Sequence, residues 1–202
     1  MNKILQDLCQ HLEDGGVVAY PTSTLPGLGC LPNKRALDSL FEIKNRPKTQ
    51  PVSLGVASII QAETLANVPM IAKSLLSYFP VGSLTLILDA KSTLDERLGG
   101  DRVAIRVFSN PLARKLVEII GPITATSANP SGIEPSNEVS KAANLLGLDS
   151  KFVLDGVCPG GLGSTILSIE KNDSEKNGFS VTIMREGVVP QSDVMEWIMK
   201  VR

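Results

Sequence analysis

The chain has 202 residues, of which 43% are hydrophobic and 20% charged, the balance of a soluble globular protein with a sizeable core rather than a disordered or membrane chain. Lys plus Arg number 20 against 21 Asp plus Glu, and aromatics make up only 4%, so neither a broad basic face nor a run of base-stacking platforms for nucleic acid is expected. Any anion binding has to be local, and the length predicts one domain over residues 1–202.

The opening segment, MNKILQDLCQHLEDGG, spaces its apolar residues as an amphipathic helix over 3–14 that Gly15-Gly16 stop. It lacks the unbroken apolar core of a signal peptide, and no later run is long enough to span a membrane. His11, the single histidine, is expected on the solvent face of this helix. One histidine rules out a histidine triad or a multi-histidine metal site, so no protein metal site is expected. Cys9, Cys30 and Cys158 lie far apart with no CxxC spacing, which predicts free thiols in a reducing cytoplasm.

A short buried strand comes next over 17–20, and Pro21 opens a loop. Residues 34–44 carry Ala36, Leu37, Leu40, Phe41 and Ile43 at helical spacing, and Pro47 limits that helix. A strand is predicted over 52–57, helices over 58–66 and 69–79, and buried strands over 84–88 and 103–107. Next come a helix over 111–120, a strand over 123–126, the polar loop TSANPSGIEPSN and a helix near 138–146. Strands at 152–154, 164–169 and 179–184 and a helix from 191 complete the chain. This order predicts an α/β domain with a mixed, twisted sheet flanked by helices.

Four segments concentrate polar or cationic residues where loops leave these elements: Pro21-Thr22-Ser23-Thr24, Lys44-Asn45-Arg46-Pro47, Thr126-Ser127-Ala128-Asn129 and Gly163-Ser164-Thr165. Taken singly, each is explained by turns and helix caps. Lys44 and Arg46 at a helix C-terminus gain roughly 0.3 to 1 kcal/mol from the helix dipole without any function. Neither GxxxxGK[ST] nor a GxGxxG after a strand occurs, so a nucleotide site would need another design.

Taken together and in order, the segments resemble the YrdC-like threonylcarbamoyl-AMP synthases along nearly the whole chain. GGVVAYPTSTLPGLGC is similar to that family's first strand and threonine-bearing loop, and Lys44-Asn45-Arg46 to its KxR motif. Arg106 in VAIRVFSNP, the SxN motif Ser127-Ala128-Asn129, GLGSTILSI, and Arg185 in MREGVV continue the match. The resemblance implies a single domain with a cationic ligand cavity, in the family's short form without an extra C-terminal domain. It implies synthesis of threonylcarbamoyl-adenylate from L-threonine, bicarbonate and ATP with Mg2+, for tRNA modification. Thr24, Arg106, Ser127 and Ser164 would then meet threonine. Lys44, Arg46, Gln50, Asn129, Ser136 and Arg185 would meet ATP, with Lys44 and Arg46 catalytic. Expected partners are the tRNA-modification proteins that consume the adenylate, with at most a weak contact to tRNA itself. Ser23 stands where relatives commonly carry an acidic residue, Pro26 where they carry tyrosine, and Gly55 where many longer ones carry histidine.

Two other readings stay open. One is a non-catalytic module binding double-stranded RNA or tRNA through a concavity lined by Lys44, Arg46, Arg102, Arg106 and Arg185. The other is a paralogue that adenylates a different carbamate.

Overall fold

The computed structural model describes residues 3–201. Helix α1 (Lys3–Glu13) leads into β1 (Val18–Tyr20) and β2 (Gly27–Gly29), followed by α2 (Lys34–Lys44), β3 (Leu54–Val56), α3 (Ile59–Leu65) and α4 (Met70–Tyr78). Then come β4 (Leu84–Asp89), β5 (Arg102–Val107), α5 (Pro111–Ile120), β6 (Ile123–Thr124), β7 (Thr126–Ser127) and α6 (Val139–Leu145). Strands β8 (Thr165–Lys171) and β9 (Phe179–Arg185) and helix α7 (Gln191–Val201) close the chain. Helix starts obey local chemistry. The side chains of Asn33, Ser58 and Asn110 accept from main-chain N–H groups in the first turns of α2, α3 and α5, and Pro111 sits where its missing N–H costs nothing.

The strands form two sheets. Six run in the order β6-β3-β5-β4-β8-β9, with β3/β5 and β4/β8 parallel and the other neighbours antiparallel. Three more, β1-β2-β7, form a small antiparallel sheet. The result is the expected mixed α/β architecture, with one buried cluster joining Leu37, Leu40 and Phe41 to Leu54, Leu86, Ile105 and Leu167. A second cluster gathers Leu8, Leu12, Tyr20, Phe108, Leu116 and Ile123. No helix among the described residues is long and apolar enough to cross a membrane.

Four expectations need correction. Strand β2 falls where the sequence reads as loop, because GLG has no strand signature of its own. Its glycines are required by packing, since a Cβ on Gly27 or Gly29 would come within 2.5 or 2.8 Å of the Tyr20 ring. The single strand expected over 123–126 is two strands in different sheets, separated at Ala125. Residues 152–154 form no sheet strand: Ser150–Phe152 is a 3-10 turn capped by Asp149, and Val153 makes only an isolated bridge to Ala19. His11 is half-buried rather than fully on the solvent face. Its ring stacks on Phe152, centroids 3.3 Å apart, in space that Gly16 leaves free, and burial lowers its pKa.

Gly55 has a similar explanation, because a Cβ there would lie 1.9 Å from Cζ of the buried Phe108. Gly55→Ala is therefore expected to cost about 1 to 3 kcal/mol through overpacking. Urea unfolding of Gly55→Ala beside Gly55→Ala/Phe108→Leu checks the cause, and the smaller side chain should recover part of the loss.

Candidate active site

Both sheets contribute to one cleft of about 210 Å³. The strand switch at Ala125 joins its walls. Ala125 N–H donates to the Ser53 carbonyl, and Ser53 Oγ donates to the Ala125 carbonyl, both at 2.7 Å. The Tyr20 hydroxyl donates to Thr124 O at 2.8 Å on the same corner. Thr24, Arg46, Arg106, Ser127, Ser164 and Arg185 all line this cleft, so six residues from six separate stretches of sequence converge.

The KxR spacing has a backbone cause. Asn45 ends α2 in the left-handed conformation (φ 49°, ψ 46°), which asparagine tolerates better than most residues. Lys44, one residue earlier, stays inside at 1% exposure, while Arg46, one residue later, turns toward the cleft. The Lys44 ammonium donates to the main-chain carbonyls of Ser127 and Asn129, tying the SxN segment to α2. Arg46 donates through Nε to Gln50 O (2.8 Å) and through Nη2 to Pro51 O (3.1 Å).

Arg106 is 8% exposed at the cleft end of β5. Its Nε donates to Gly82 O at 2.9 Å, and its Nη2 donates to Thr24 Oγ1 at 2.8 Å and Ser23 Oγ at 3.2 Å. Arg185 donates through Nη2 to Ser164 O at 2.8 Å. Burial brings Arg106 down to about 10 and lowers Arg46 and Arg185 as well, with Arg185 repelling both other guanidiniums. Among the described residues no Asp or Glu forms an ion pair with Lys44, Arg46, Arg106 or Arg185, and none lines the cleft. Arg97 shows the contrast, buried yet paired with Asp38 and Asp95. Crowded guanidiniums without carboxylates form a site for anions.

The remaining sequence candidates occupy other places. Asn129 is buried behind the cleft, its Oδ1 accepting from Ser127 Oγ and its Nδ2 donating to Pro130 O and Ile133 O. Gln50 is exposed and offers its carbonyl to Arg46. Ser136 caps the approach to α6 by accepting from Glu138 N–H and borders a separate concavity with Lys141 and Asn144. Arg102 does not join the cationic set, because it pairs with Asp89 and donates to Ser168 and Ile169.

Sequence reading passed over Thr22, Ser53 and Thr85 as site residues, though all three line the cleft. Thr85 Oγ1 and Ser164 Oγ share a hydrogen bond of 2.7 Å, and Thr22 Oγ1 accepts from Thr24 N–H and donates to Leu25 O. A lone threonine inside the apolar run LTLIL is the signal that could have found Thr85. Among the described residues no group of three or more His, Cys, Asp or Glu is placed to hold a metal ion.

The Sua5/YciO/YrdC family model, described under telomere recombination, matches residues 10–187. The chain belongs to this family. Among Sua5/YciO/YrdC proteins, the threonylcarbamoyl-AMP synthase of Photobacterium profundum is 31% identical over 192 residues, covering 91% of this chain and 98% of that protein. The Bacillus subtilis enzyme of the same name is 39% identical over 164 residues, covering 78% of this chain and 47% of its own. The crystal structure of Pyrococcus abyssi Sua5 complexed with L-threonine superposes with a TM-score of 0.81 at 30% identity over 96% of this chain. The chain spans 57% of that longer Sua5 protein.

Burial, with a smaller repulsion from Arg46, brings Lys44 down from 10.5 to about 8. Between those values the unfolded chain holds a proton that the native one has released, so native stability rises with pH across the window. The unfolding free energy of the wild type relative to Lys44→Met should climb by on the order of 3 kcal/mol between pH 7.5 and 10.5. Urea titrations of both proteins at several pH values measure it, and parallel pH curves would show that burial does not lower the Lys44 pKa.

Proposed function

We propose that the chain makes threonylcarbamoyl-adenylate from L-threonine, bicarbonate and ATP, releasing pyrophosphate, for threonylcarbamoyl modification of adenosine in tRNA. The observation that carries this reading is the convergence of three carboxylate-free guanidiniums and a set of hydroxyls on one cleft. That arrangement suits two anionic reactants and a reaction with no protein nucleophile. The amine of threonine attacks CO2 and loses a proton, or condenses with bicarbonate and loses water, to give a carbamate. A carbamate oxygen then attacks the α-phosphate, the bond to the β-phosphate breaks, and pyrophosphate leaves with its electron pair. The enzyme's contribution is to hold two anions against each other and to stabilise charge on the phosphates.

In this reading Arg106 meets the threonine carboxylate. Thr24 fixes the guanidinium, and Ser127 and Ser164 face the same substrate. Arg46 and Arg185 meet phosphates. Lys44 and Asn129 act through the SxN segment they anchor. A cleft of about 210 Å³ is small for a nucleotide and an amino acid together, so ATP extends beyond it. Gln50 and Ser136 are proposed contacts for that outer part. Mg2+ bound with the triphosphate would supply charge neutralisation for the phosphates; the cleft offers it hydroxyls such as Ser127 and Ser164 and no carboxylate, so the nucleotide itself would have to hold most of it. The free, buried cysteines fit a reducing cytoplasm, and proteins that pass the adenylate to tRNA complete the proposal.

Pyrophosphate release should require both L-threonine and bicarbonate and accompany an acid-labile adenylate made with labelled bicarbonate. Full-speed release without either reactant would refute the mechanism. Arg46→Ala removes two hydrogen bonds to a surface turn, so melting should shift little, whereas kcat/KM for ATP should fall roughly 30- to 1000-fold. Arg46→Lys should recover only part of that rate, since an ammonium lacks the planar two-donor face. Near-wild-type kinetics of Arg46→Ala would remove Arg46 from the site.

A further inference from the structure

Strand β9 is irregular where it reaches the cleft. Leu167 pairs with Ile183, but Ile166 pairs with Arg185, leaving Met184 as an extra residue in a β-bulge. In an unbroken ladder Met184 would stand opposite Ile166. The bulge instead sets Arg185 opposite Ile166, and both line the cleft, while Met184 is exposed.

One hydroxyl makes three of the hydrogen bonds that hold the segment beyond the bulge. Thr165 is fully buried, and its Oγ1 accepts from the N–H groups of Gly187 and Val189, both at 3.0 Å, while donating to Val189 O at 2.7 Å. This uses its one proton and both lone pairs. The two backbones come so close that a Cβ on Gly187 would lie 2.3 Å from Gly163 O, and Val188 N–H donates to that same oxygen at 2.9 Å. On its other side Thr165 N–H donates to Ser83 O at 2.9 Å, next to the Gly82 carbonyl that anchors Arg106. Thr165 itself lines no part of the cleft.

We infer that Thr165 is a positioning residue, whose hydroxyl clasps the Gly187–Val189 segment and thereby fixes the bulge that turns Arg185 into the cleft beside Ser164. The inference rests on the proposed function for its kinetic consequence only. Thr165→Val keeps the side chain's shape and removes all three bonds, and Thr165→Ser keeps the hydroxyl and drops the methyl. A misplacement of about 1 Å at a reacting site costs on the order of 100-fold, so Thr165→Val should lose about that much kcat/KM for ATP, expressed more in KM for ATP than in KM for threonine. Thr165→Ser should return to within about threefold of wild type, because the bonds survive.

Hydrogen exchange supplies a readout independent of turnover. In the wild type the Gly187 and Val189 amides should exchange as slowly as those in the middle of β8, and in Thr165→Val they should exchange at least about tenfold faster. Wild-type-like kinetics in a folded Thr165→Val protein, or a Thr165→Ser protein as impaired as the valine variant, overturns the clasp. So does fast exchange of both amides in the wild type, which decides the matter even if Thr165→Val fails to fold. A wild type that releases no pyrophosphate refutes the functional reading instead, and the exchange data still judge the clasp.

Discussion

Unneutralised positive charge governs the cleft. A buried guanidinium normally finds a carboxylate, as Arg97 does with Asp38 and Asp95, where the attraction pulls Asp95 down to about 2. Arg106 is equally buried and receives only a carbonyl and two hydroxyls. Those dipoles keep it in place without satisfying its charge, and with Arg46 and Arg185 nearby the cleft holds like charges against one another. An anion relieves that repulsion, so the affinity for charged substrates is built into the fold.

The scaffold serves this arrangement through short main-chain junctions. Asn45 separates an inward lysine from a cleft-facing arginine, Ala125 switches one strand into two sheets, and the Met184 bulge re-aims β9. Each junction is a single residue long. Each is stabilised by bonds from a distant part of the chain, such as Lys44 to the carbonyls of Ser127 and Asn129 or Thr165 to Gly187 and Val189. The cationic side chains alone would not make the site, since a one-residue slip at any junction would point them elsewhere.

Much of the fold was legible from the chain alone because helical and strand periodicities report burial directly. The positions of α2, β4, β5 and α5 are set by apolar spacing, and the ordered KxR, SxN and arginine segments indicate the family. The misses share a cause, which is that the deciding contact lies far away in sequence. GLG is a strand only because Tyr20 covers it, residues 123–127 divide only because β3 and β2 claim different halves, and His11 is covered only because Phe152 reaches it. Distance in sequence also hides the bonds that Lys44 and Asn129 make to main-chain carbonyls and to Ser127.

The bare strand β2 also bears on how such a site can diverge. Gly27 and Gly29 press against the Tyr20 ring, whose hydroxyl is itself committed to Thr124, so this wall of the cleft admits no side chain. In the neighbouring loop Ser23 and Leu25 are only half-buried, and Ser23, Thr24 and Leu25 reach the cleft or its arginine. Inherited variation is thereby channelled. Substitutions on this side of the cleft are left to the loop, while the strand beside it stays almost frozen.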